Sequence, residues 1–367
     1  MKVPFVDLKA QYNSIKSDID GAIAEVIDNT AFIKGKYVDE FETNYKKEYG
    51  AGHCLGVANG TDALYIALKC LGIKQGDEVI TTAYSWISTS ETISQTGAKP
   101  VFIDIDPDFY TIDVNKIEEK ITGKTKAIVP VHFYGQMADI VKIKKIADKH
   151  SLLLIEDCAQ SHFAEFNGIR AGLTGNVATF SFYPGKNLGA YGDAGAIITN
   201  DENLALKMRM FANHGSIKKH NHQIEGINSR LDGLQAAILS AKLPYIHEWN
   251  SKRIDNARIY QRFLSEIPEI ITPSTQDGAK HIFHVYCVRA ERRSELMKYL
   301  SENGIDTAIH YPTALPNMPA YQYLGYKPED FPVSTSYQDV ILSLPMFPEL
   351  TAEQIEYVAL KIKDFYF

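Results

Sequence analysis

The sequence predicts an α/β protein in which a mainly parallel sheet is covered by helices and is followed by a smaller α+β region. The length of 367 residues exceeds what one hydrophobic core usually serves. Between Gly60 and Asn200, short β-branched runs alternate with amphipathic stretches, a pattern typical of βαβ crossovers. After Asp201 the pattern changes to one long helix followed by mixed elements. We expect a large domain at 1–240 and a small C-terminal domain at 241–367, with the first fifty residues as a candidate addition to the small domain.

The apolar runs predict the strands of the large sheet. Ligands in such sheets bind beyond the carboxyl ends of the strands, so chemistry is expected there. The predicted strands cover residues 78–82, 100–105, 126–131, 152–156, 178–182 and 194–199.

The segments between and after these runs predict the helices and the smaller region. A polar segment at 214–228, with three histidines and two lysines, is predicted to be a mobile loop. Predicted helices cover 62–71, 88–96, 113–121, 138–150, 232–264 with a bend near Pro244, 295–303 and 352–364, and later strands cover 281–289 and 307–311.

Composition narrows the class of protein. The net charge is −7 and no basic tract is present, which argues against nucleic-acid binding. The N-terminus has no apolar signal core, and no uncharged apolar run approaches the length of a membrane span. No membrane partner is therefore expected. The cysteines match neither a zinc site nor a disulfide framework, so we expect reduced thiols and a cytoplasmic location. These cysteines are Cys54, Cys70, Cys158 and Cys287.

Two ionisable residues follow predicted strands. The run 152–155 leads into Glu156 and Asp157, and a carboxylate at a buried strand end must be solvated, paired or hydrogen-bonded. Asp157 is a candidate catalytic acid, although a helix cap or a metal ligand is also open. Lys186 lies in a Gly- and Pro-rich turn, where partial desolvation would lower the pKa of its amine and favour Schiff-base chemistry. The alternative is a solvated loop lysine.

Two further motifs complete a possible cofactor site. Gly60 and Thr61 open a helix whose free amides favour an anion, and Trp86 offers a flat face for stacking. The alternatives are a plain capped helix and core packing. A lysine, a carboxylate, a phosphate cup and a ring platform are together the requirements of pyridoxal 5'-phosphate (PLP). The combination therefore favours a PLP enzyme.

The longer motifs resemble a known family. Residues 156–162 read Glu-Asp-Cys-Ala-Gln-Ser-His and residues 181–189 read Ser-Phe-Tyr-Pro-Gly-Lys-Asn-Leu-Gly, which is similar to the DegT/DnrJ/EryC1/StrS family of PLP-dependent sugar aminotransferases. The resemblance implies the aspartate-aminotransferase fold (PLP fold type I) with a seven-stranded, mainly parallel sheet. It covers essentially the whole chain, with further matches at 33–35, 58–64, 76–79, 131–136, 213–215, 228–238 and 342–345.

The resemblance also implies roles for single residues. Lys186 would hold the cofactor covalently and then shuttle a proton, and Asp157 would pair with the pyridinium nitrogen. Asn228 would reach the phosphate of the neighbouring subunit, which implies a homodimer with shared sites. No metal is expected at these sites. The other cofactor contacts would be Gln160 to the ring hydroxyl oxygen, Trp86 on the ring face, and Gly60, Thr61 and Ser181 around the phosphate. The substrate candidates are Tyr183, Asn187, Arg230, His310 and Tyr311, and Pro316 replaces a histidine of the family pattern.

The implied activity is transamination of a nucleotide-linked keto-sugar. The run 228–232, Asn-Ser-Arg-Leu-Asp, resembles the branch that aminates C-3 of dTDP-3-keto-6-deoxyhexoses, with L-glutamate as donor and pyridoxamine phosphate as the intermediate cofactor form. Such transaminases act in deoxyamino-sugar biosynthesis, for example for lipopolysaccharide or S-layer glycan. Amination at C-4 of a UDP- or dTDP-4-keto-6-deoxyhexose is the alternative.

Functions of other classes are weighed against the same residues. A dehydrating branch of the family carries histidine at the lysine position, so Lys186 argues against it. A non-catalytic regulator that keeps the fold is a further alternative, which the intact Lys186–Asp157 pair disfavours. A nicotinamide oxidoreductase would need a GxGxxG motif, which the chain lacks. His220 and His222 have metal-like spacing, but a polar loop accounts for them.

Overall fold

A computed structural model describes residues 1–367 and contains thirteen strands. Seven form one sheet in the order β1-β9-β8-β5-β4-β2-β3, and two three-stranded sheets have the orders β10-β12-β13 and β11-β6-β7. The strands are β1 His53–Val57, β2 Glu78–Thr82, β3 Lys99–Ile103, β4 Thr125–Val129, β5 Leu153–Asp157, β6 Glu165–Phe166, β7 Ile169–Arg170, β8 Val177–Ser181, β9 Gly195–Thr199, β10 Ile270–Ile271, β11 Ala279–Lys280, β12 Tyr286–Ala290 and β13 Ile341–Leu344.

The large sheet is parallel from β3 to β8 and gains two strands at one edge. β9 runs antiparallel to both β8 and β1, whereas the pairs β3–β2, β2–β4, β4–β5 and β5–β8 are parallel. The predicted seven-stranded, mainly parallel α/β sheet is confirmed. Because β1 and β8 share the direction of β5, the residues after Val57, Asp157 and Ser181 lie at one edge of the sheet.

Twelve α-helices surround the sheets. Their buried faces are apolar, as the spacing of Ala63, Leu64 and Ala67 in the fourth helix illustrates. The helices are α1 Leu8–Ser14, α2 Lys16–Asp28, α3 Lys36–Tyr49, α4 Gly60–Cys70, α5 Ser88–Gln95, α6 Ile140–Lys149, α7 Glu202–Phe211, α8 Gly233–Lys242, α9 Ile246–Leu264, α10 Arg293–Glu302, α11 Pro332–Tyr337 and α12 Ala352–Tyr366. None of them has both the length and the apolar surface needed to cross a bilayer.

The long helix predicted at 232–264 bends at the predicted place. A 3₁₀ turn at Leu243–Tyr245 separates α8 from α9, because Pro244 has no N–H group to continue the helical hydrogen bonds. The interruption lets α8 cover the large sheet while α9 extends toward β12.

Three predicted elements differ from the structure. The predicted helix 113–121 is instead two 3₁₀ turns, Val114–Lys116 and Glu118–Lys120, in which the amides of Lys116 and Lys120 bond three residues back although the apolar side chains of the segment pack on the core. The strand predicted at 281–289 begins only at Tyr286, since the preceding amides bond to the turn at residues 134–135. The strand predicted at 307–311 reduces to a single bridge from Ala308 to Ser343.

Two hydrophobic clusters hold the molecule together. The first joins the large sheet to α2, α3 and α8, and the second joins α9, α10 and α12 to β12 and β13. Eight buried apolar residues of the N-terminal fifty belong to the first cluster, whereas Val3 bonds to the strand-like segment at Ile305. The domain boundary near residue 240 stays a prediction.

Aromatic side chains of the first cluster support one edge of the sheet. Tyr45 lies 5.6 Å from Phe180 and 5.4 Å from Phe182 between ring centroids, in edge-to-face geometry. Each fully buried aromatic ring contributes about 2–3 kcal/mol by transfer from water. Since Phe182 precedes the turn that carries Lys186, this cluster gives that turn a rigid base.

Candidate active site

Asp157 ends β5 and is almost fully buried. Its Oδ2 accepts a hydrogen bond from Thr89 Oγ1 at 2.8 Å, and its Oδ1 accepts one from the Ala159 amide at 3.1 Å. Burial raises the pKa of Asp157, while these two hydrogen bonds and the charge of Lys186 act in the opposite direction. The carboxyl group is therefore held in place at the sheet edge with a strong preference for a cationic partner.

Glu156 points to the other side of the same strand and is fully engaged. It accepts hydrogen bonds from the amides of Gly172, Thr174 and Gly175 and pairs with His132 Nε2 at 2.8 Å. Burial alone would raise the pKa of Glu156, but the bonds from His132 and the backbone outweigh it and lower that pKa.

His132, Glu156 and Cys158 place three possible metal ligands within 4.8 Å of one another. His132 Nδ1 accepts a hydrogen bond from the Ala138 amide, so its only other ring nitrogen is the one that bonds Glu156. Because the lone pairs of both side chains are already occupied, we interpret this group as a structural pair rather than a metal site.

Lys186 is partly exposed on a tight turn after β8. Its amide donates to Tyr183 O at 2.8 Å, and Gly189 closes the turn so tightly that an added Cβ would lie 2.3 Å from Pro184 O. Burial lowers the pKa of the Lys186 amine to about 8, and the nearby Asp157 charge acts in the opposite direction. A substantial neutral fraction near neutral pH suits a nucleophilic amine.

A glycine-lined cradle lies beside this pair. A Cβ on Gly60 would lie 2.7 Å from Ser181 Cβ, and a Cβ on Gly195 would lie 2.5 Å from the Asn59 backbone. The first amides of α4 have no partner within the helix and point their dipole at this space. Thr61 Oγ1 and Ser88 Oγ lie 2.7 Å apart at its rim. These donors and the lack of side chains fit a phosphate group.

Gln160 and two aromatic rings continue the site. Gln160 Oε1 accepts from the Tyr134 amide at 2.8 Å, and its Nε2 lies 3.4 Å from the Tyr311 hydroxyl. Its remaining N–H can therefore donate to a ring oxygen. Trp86 is 57% exposed, and its ring centroid lies 5.3 Å from that of Tyr311. An exposed indole beside the buried carboxylate is available for stacking.

The other predicted substrate residues differ in their exposure and in their bonding partners. Tyr183 is exposed, and His310 Nδ1 lies 2.9 Å from Ser343 Oγ. Asn187 is buried and bonds other side chains of the chain. The structure does not connect Arg230 to the Lys186 turn.

Arg230 lies in a separate pocket of about 170 Å³, together with Lys34 and Arg209. Burial lowers the pKa of Lys34, and the positive charges of Arg230 and Arg209 lower it further. Asn228 is exposed, and the neighbouring Ser229 Oγ accepts from the Ala58 amide at 3.2 Å. Glu42 and Asp39 also line this pocket, and Glu42 pairs with Arg209 at 2.7 Å, which leaves Lys34 and Arg230 as its cations without a carboxylate partner.

Sequence reasoning did not single out Thr89, Asn250 or His284. Thr89 bonds Asp157 directly, and Asn250 and His284 both bond Asn187, the neighbour of Lys186. Each is separated from its partner by more than sixty positions and belongs to no local motif. The one available signal was a histidine within the predicted strand 281–289.

Comparisons with known proteins agree with this geometry. The sequence model of the DegT/DnrJ/EryC1/StrS aminotransferase family matches residues 13–363. The chain is 47% identical to a pleiotropic regulatory protein of Geobacillus stearothermophilus, covering 100% of this chain and 99% of that one. It is 41% identical to dTDP-3-amino-3,4,6-trideoxy-alpha-D-glucose transaminase of Streptomyces venezuelae, covering 99% and 95%.

Solved structures give the same result. DesV of S. venezuelae in complex with a ketimine intermediate has a TM-score of 0.97 and 40% identity, covering 99% of this chain and 98% of that one. NtdA from Bacillus subtilis with bound cofactor PMP has a TM-score of 0.90 and 33% identity, covering 99% and 85%. The chain therefore shares its fold with both proteins over nearly its whole length, and it spans nearly all of DesV and most of NtdA.

Proposed function

The chain belongs to the DegT/DnrJ/EryC1/StrS aminotransferase family, and from this premise we propose that it transfers an amino group from L-glutamate to C-3 of a dTDP-3-keto-6-deoxyhexose. The observation that carries the proposal is the pairing of a partly desolvated amine, Lys186, with a buried carboxylate, Asp157, at the end of β5. The relative named as a dTDP-3-amino-sugar transaminase supports the position and the nucleotide.

The cofactor in this proposal is pyridoxal 5'-phosphate, which alternates with pyridoxamine phosphate. When bound, this cofactor draws in the electrons freed when the Cα–H bond of the amino donor breaks. The glycine cradle at Gly60 and Gly195 fits its phosphate, and the spare N–H of Gln160 fits the oxygen on its ring. The structure with bound PMP from B. subtilis, a relative of the same fold, supports the assignment.

The chain's own residues account for the proton movements. Asp157, fixed by Thr89 and Ala159, holds a proton on the ring nitrogen. The amine of Lys186, with a pKa of about 8, would take the proton from the donor's Cα as a neutral base and, as an ammonium group, deliver it to C4′ of the bound cofactor. The tight turn closed by Gly189 limits the movement of the backbone that carries this amine.

We propose a homodimer with shared active sites as the active form. Trp86, Tyr183 and Asn228 are largely exposed in a single chain, although each is expected to contact cofactor or substrate. A partner subunit would cover them and bring Asn228 to the neighbouring phosphate. Because the chain is acidic overall and Glu42 already pairs with Arg209, the cations Lys34 and Arg230 are the candidates to bind the sugar's diphosphate. The four free, buried cysteines fit a reducing compartment such as the cytoplasm.

A non-catalytic regulatory role is a second candidate, favoured by the similarity to the pleiotropic regulatory protein of G. stearothermophilus. Such a protein has no need for a desolvated amine facing a buried carboxylate. We therefore rank catalysis first and let the spectroscopic test below separate the two.

The test uses purified protein reconstituted with PLP. L-glutamate alone should convert its visible absorbance to that of the pyridoxamine form, and borohydride should fix the cofactor to Lys186, as located by peptide mass spectrometry. A panel of dTDP- and UDP-linked 3-keto and 4-keto sugars should then restore the original spectrum. NMR of the product should show nitrogen at C-3.

The outcomes separate the alternatives. Nitrogen at C-4 would replace the proposed regiochemistry and leave the transaminase assignment intact. A protein that binds PLP but shows no glutamate-dependent change would favour the regulatory role. The matched control is Lys298→Ala, which removes a lysine that is 79% exposed on α10 and should leave both spectra unchanged.

A further inference from the structure

A directed chain of hydrogen bonds runs from a backbone carbonyl to His284. Asn250 Nδ2 donates to His162 O at 2.9 Å, and Asn187 Nδ2 donates to Asn250 Oδ1 at 2.8 Å. His284 Nδ1 lies 3.0 Å from Asn187 Oδ1 and completes the chain. Its four members come from α9, from the loop before β12 and from the segments that follow β5 and β8.

The first bond fixes the direction of all the others. A backbone carbonyl only accepts hydrogen bonds, so Asn250 must present its NH₂ group to His162 and its oxygen to Asn187. Asn187 must then present its own NH₂ group to Asn250, a choice that the second carbonyl, Ile282 O at 3.5 Å, also requires. The oxygen of Asn187 remains for His284, whose Nδ1 must therefore carry the proton.

This tautomer leaves a lone pair on His284 Nε2, to which no group of the chain donates. Burial keeps the pKa of His284 well below its usual value, and the positive charges of Lys186 and Arg253 lower it further. The imidazole is therefore neutral. Its ring is partly exposed, and its bonding partner Asn187 is the residue after Lys186.

Building on the proposed transaminase function, we propose that His284 is a specificity-determining residue whose Nε2 accepts a hydrogen bond from a hydroxyl group of the sugar. The amide chain through Asn187 and Asn250 positions the ring and fixes its tautomer. A hydroxyl group supplies the donor that this nitrogen requires. The carboxylates of glutamate carry no hydrogen and its amino group is the one that reacts, so the same nitrogen finds no donor on the amino donor.

The central experiment measures the two half-reactions of His284→Phe separately by stopped-flow absorbance. The loss of one hydrogen bond to a neutral hydroxyl should lower the apparent second-order rate constant with the keto-sugar about tenfold. The rate constant with glutamate should change by less than about twofold. The matched control, His247→Phe, replaces an exposed histidine of α9 that pairs with Glu48, and it should alter neither half-reaction.

The outcomes are distinguishable from failure of the proposed function. If the wild-type protein shows no glutamate half-reaction, the proposed function itself fails. If that reaction proceeds but His284→Phe lowers the rate constants of both half-reactions equally, or lowers neither, the assignment of His284 is wrong. Thermal melting of the variant without substrates separates misfolding from a specific effect.

A second measurement needs no substrate. In ¹⁵N-histidine-labelled protein, the signal that disappears in His284→Phe should show a proton on Nδ1 and none on Nε2. A proton on Nε2 would overturn the inference. In Asn187→Asp, the new carboxylate should raise the pKa of His284, so the sugar half-reaction should gain a fall at low pH that the glutamate half-reaction lacks.

Discussion

Two lysines lie on opposite sides of the same turn, and burial lowers the pKa of each amine to about 8. Lys242, from α8, is fully buried and donates to Gly189 O at 2.7 Å and to Gln11 Oε1 at 3.0 Å, with its amine 4.3 Å from the Tyr191 ring centroid. The Lys186 amine instead makes no hydrogen bond within the chain and interacts with the charge of Asp157. Both amines thus have a lowered pKa, but only the amine of Lys242 is already hydrogen-bonded within the chain.

The sharpest way to break this comparison is to remove each amine. Lys186→Ala should lower turnover by about 10⁴-fold or more, since the covalent link and the proton carrier are lost together. Steady-state assays and borohydride trapping measure the effect. Comparable turnover in the variant would exclude Lys186 as the reactive amine, provided that circular dichroism shows an unchanged fold.

The partner of the reactive amine gives the next largest effect. Asp157→Asn keeps hydrogen-bonding groups toward Thr89 and Ala159 but removes the negative charge. Without the charge that protonates the cofactor ring, turnover should fall about 10²- to 10³-fold. Because Asp157 acts to raise the pKa of Lys186, the pH at which the amine titrates should also fall. If the pH at which Lys186 titrates did not change in this variant, the two side chains would not interact electrostatically.

The amine of Lys242 should affect the folding stability of the protein rather than its catalysis. The pKa of Lys242 is about 8 in the folded chain and about 10.5 when unfolded, so the unfolded chain binds more protons between these values. The Lys242 contribution to folding stability should therefore rise with pH over this range, by about 3 kcal/mol. Lys242→Met should lack this rise, as urea unfolding at pH 7.5 and 10.5 can measure. An identical pH dependence in both proteins would contradict the assignment.

The same variant gives the smallest expected effect at neutral pH. Lys242→Met leaves Gly189 O and Gln11 Oε1 without a donor but also removes a buried charge, so the free energy of unfolding at neutral pH should change by less than about 2 kcal/mol. Turnover should fall less than tenfold, because the Lys186 turn is still held by its own bonds and by Phe182. A loss as large as that of Lys186→Ala would give Lys242 a part in the chemistry.

Much of this arrangement was predictable from local patterns. Asp157, Lys186, Gly60 and Trp86 follow strand ends, and the parallel sheet brings these ends to one edge. The bend at Pro244 follows from the missing N–H group alone. Such features depend on a few neighbouring residues and on the general geometry of α/β sheets.

Other features depend on contacts that no local pattern contains. Asn187, predicted to touch the substrate, bonds Asn250 and His284, which lie 63 and 97 positions away. Segment 281–285 has the composition of a strand, but its amides bond to the turn at residues 134–135 instead of a neighbouring strand. The predicted roles of Asn228 and Arg230 depend on a second subunit, and they stay predictions.

The order of the sheet also constrains when the site can form during synthesis. β1 pairs only with β9, so His53 must wait for Thr199, and α3 packs against α8 from residues 233–242. Closing such long loops is slow relative to local helix formation. On the ribosome, the cradle at Gly60 therefore cannot assemble until more than half of the chain, through β9, has emerged. Until then, the apolar edge of the nascent sheet is a natural target for chaperones.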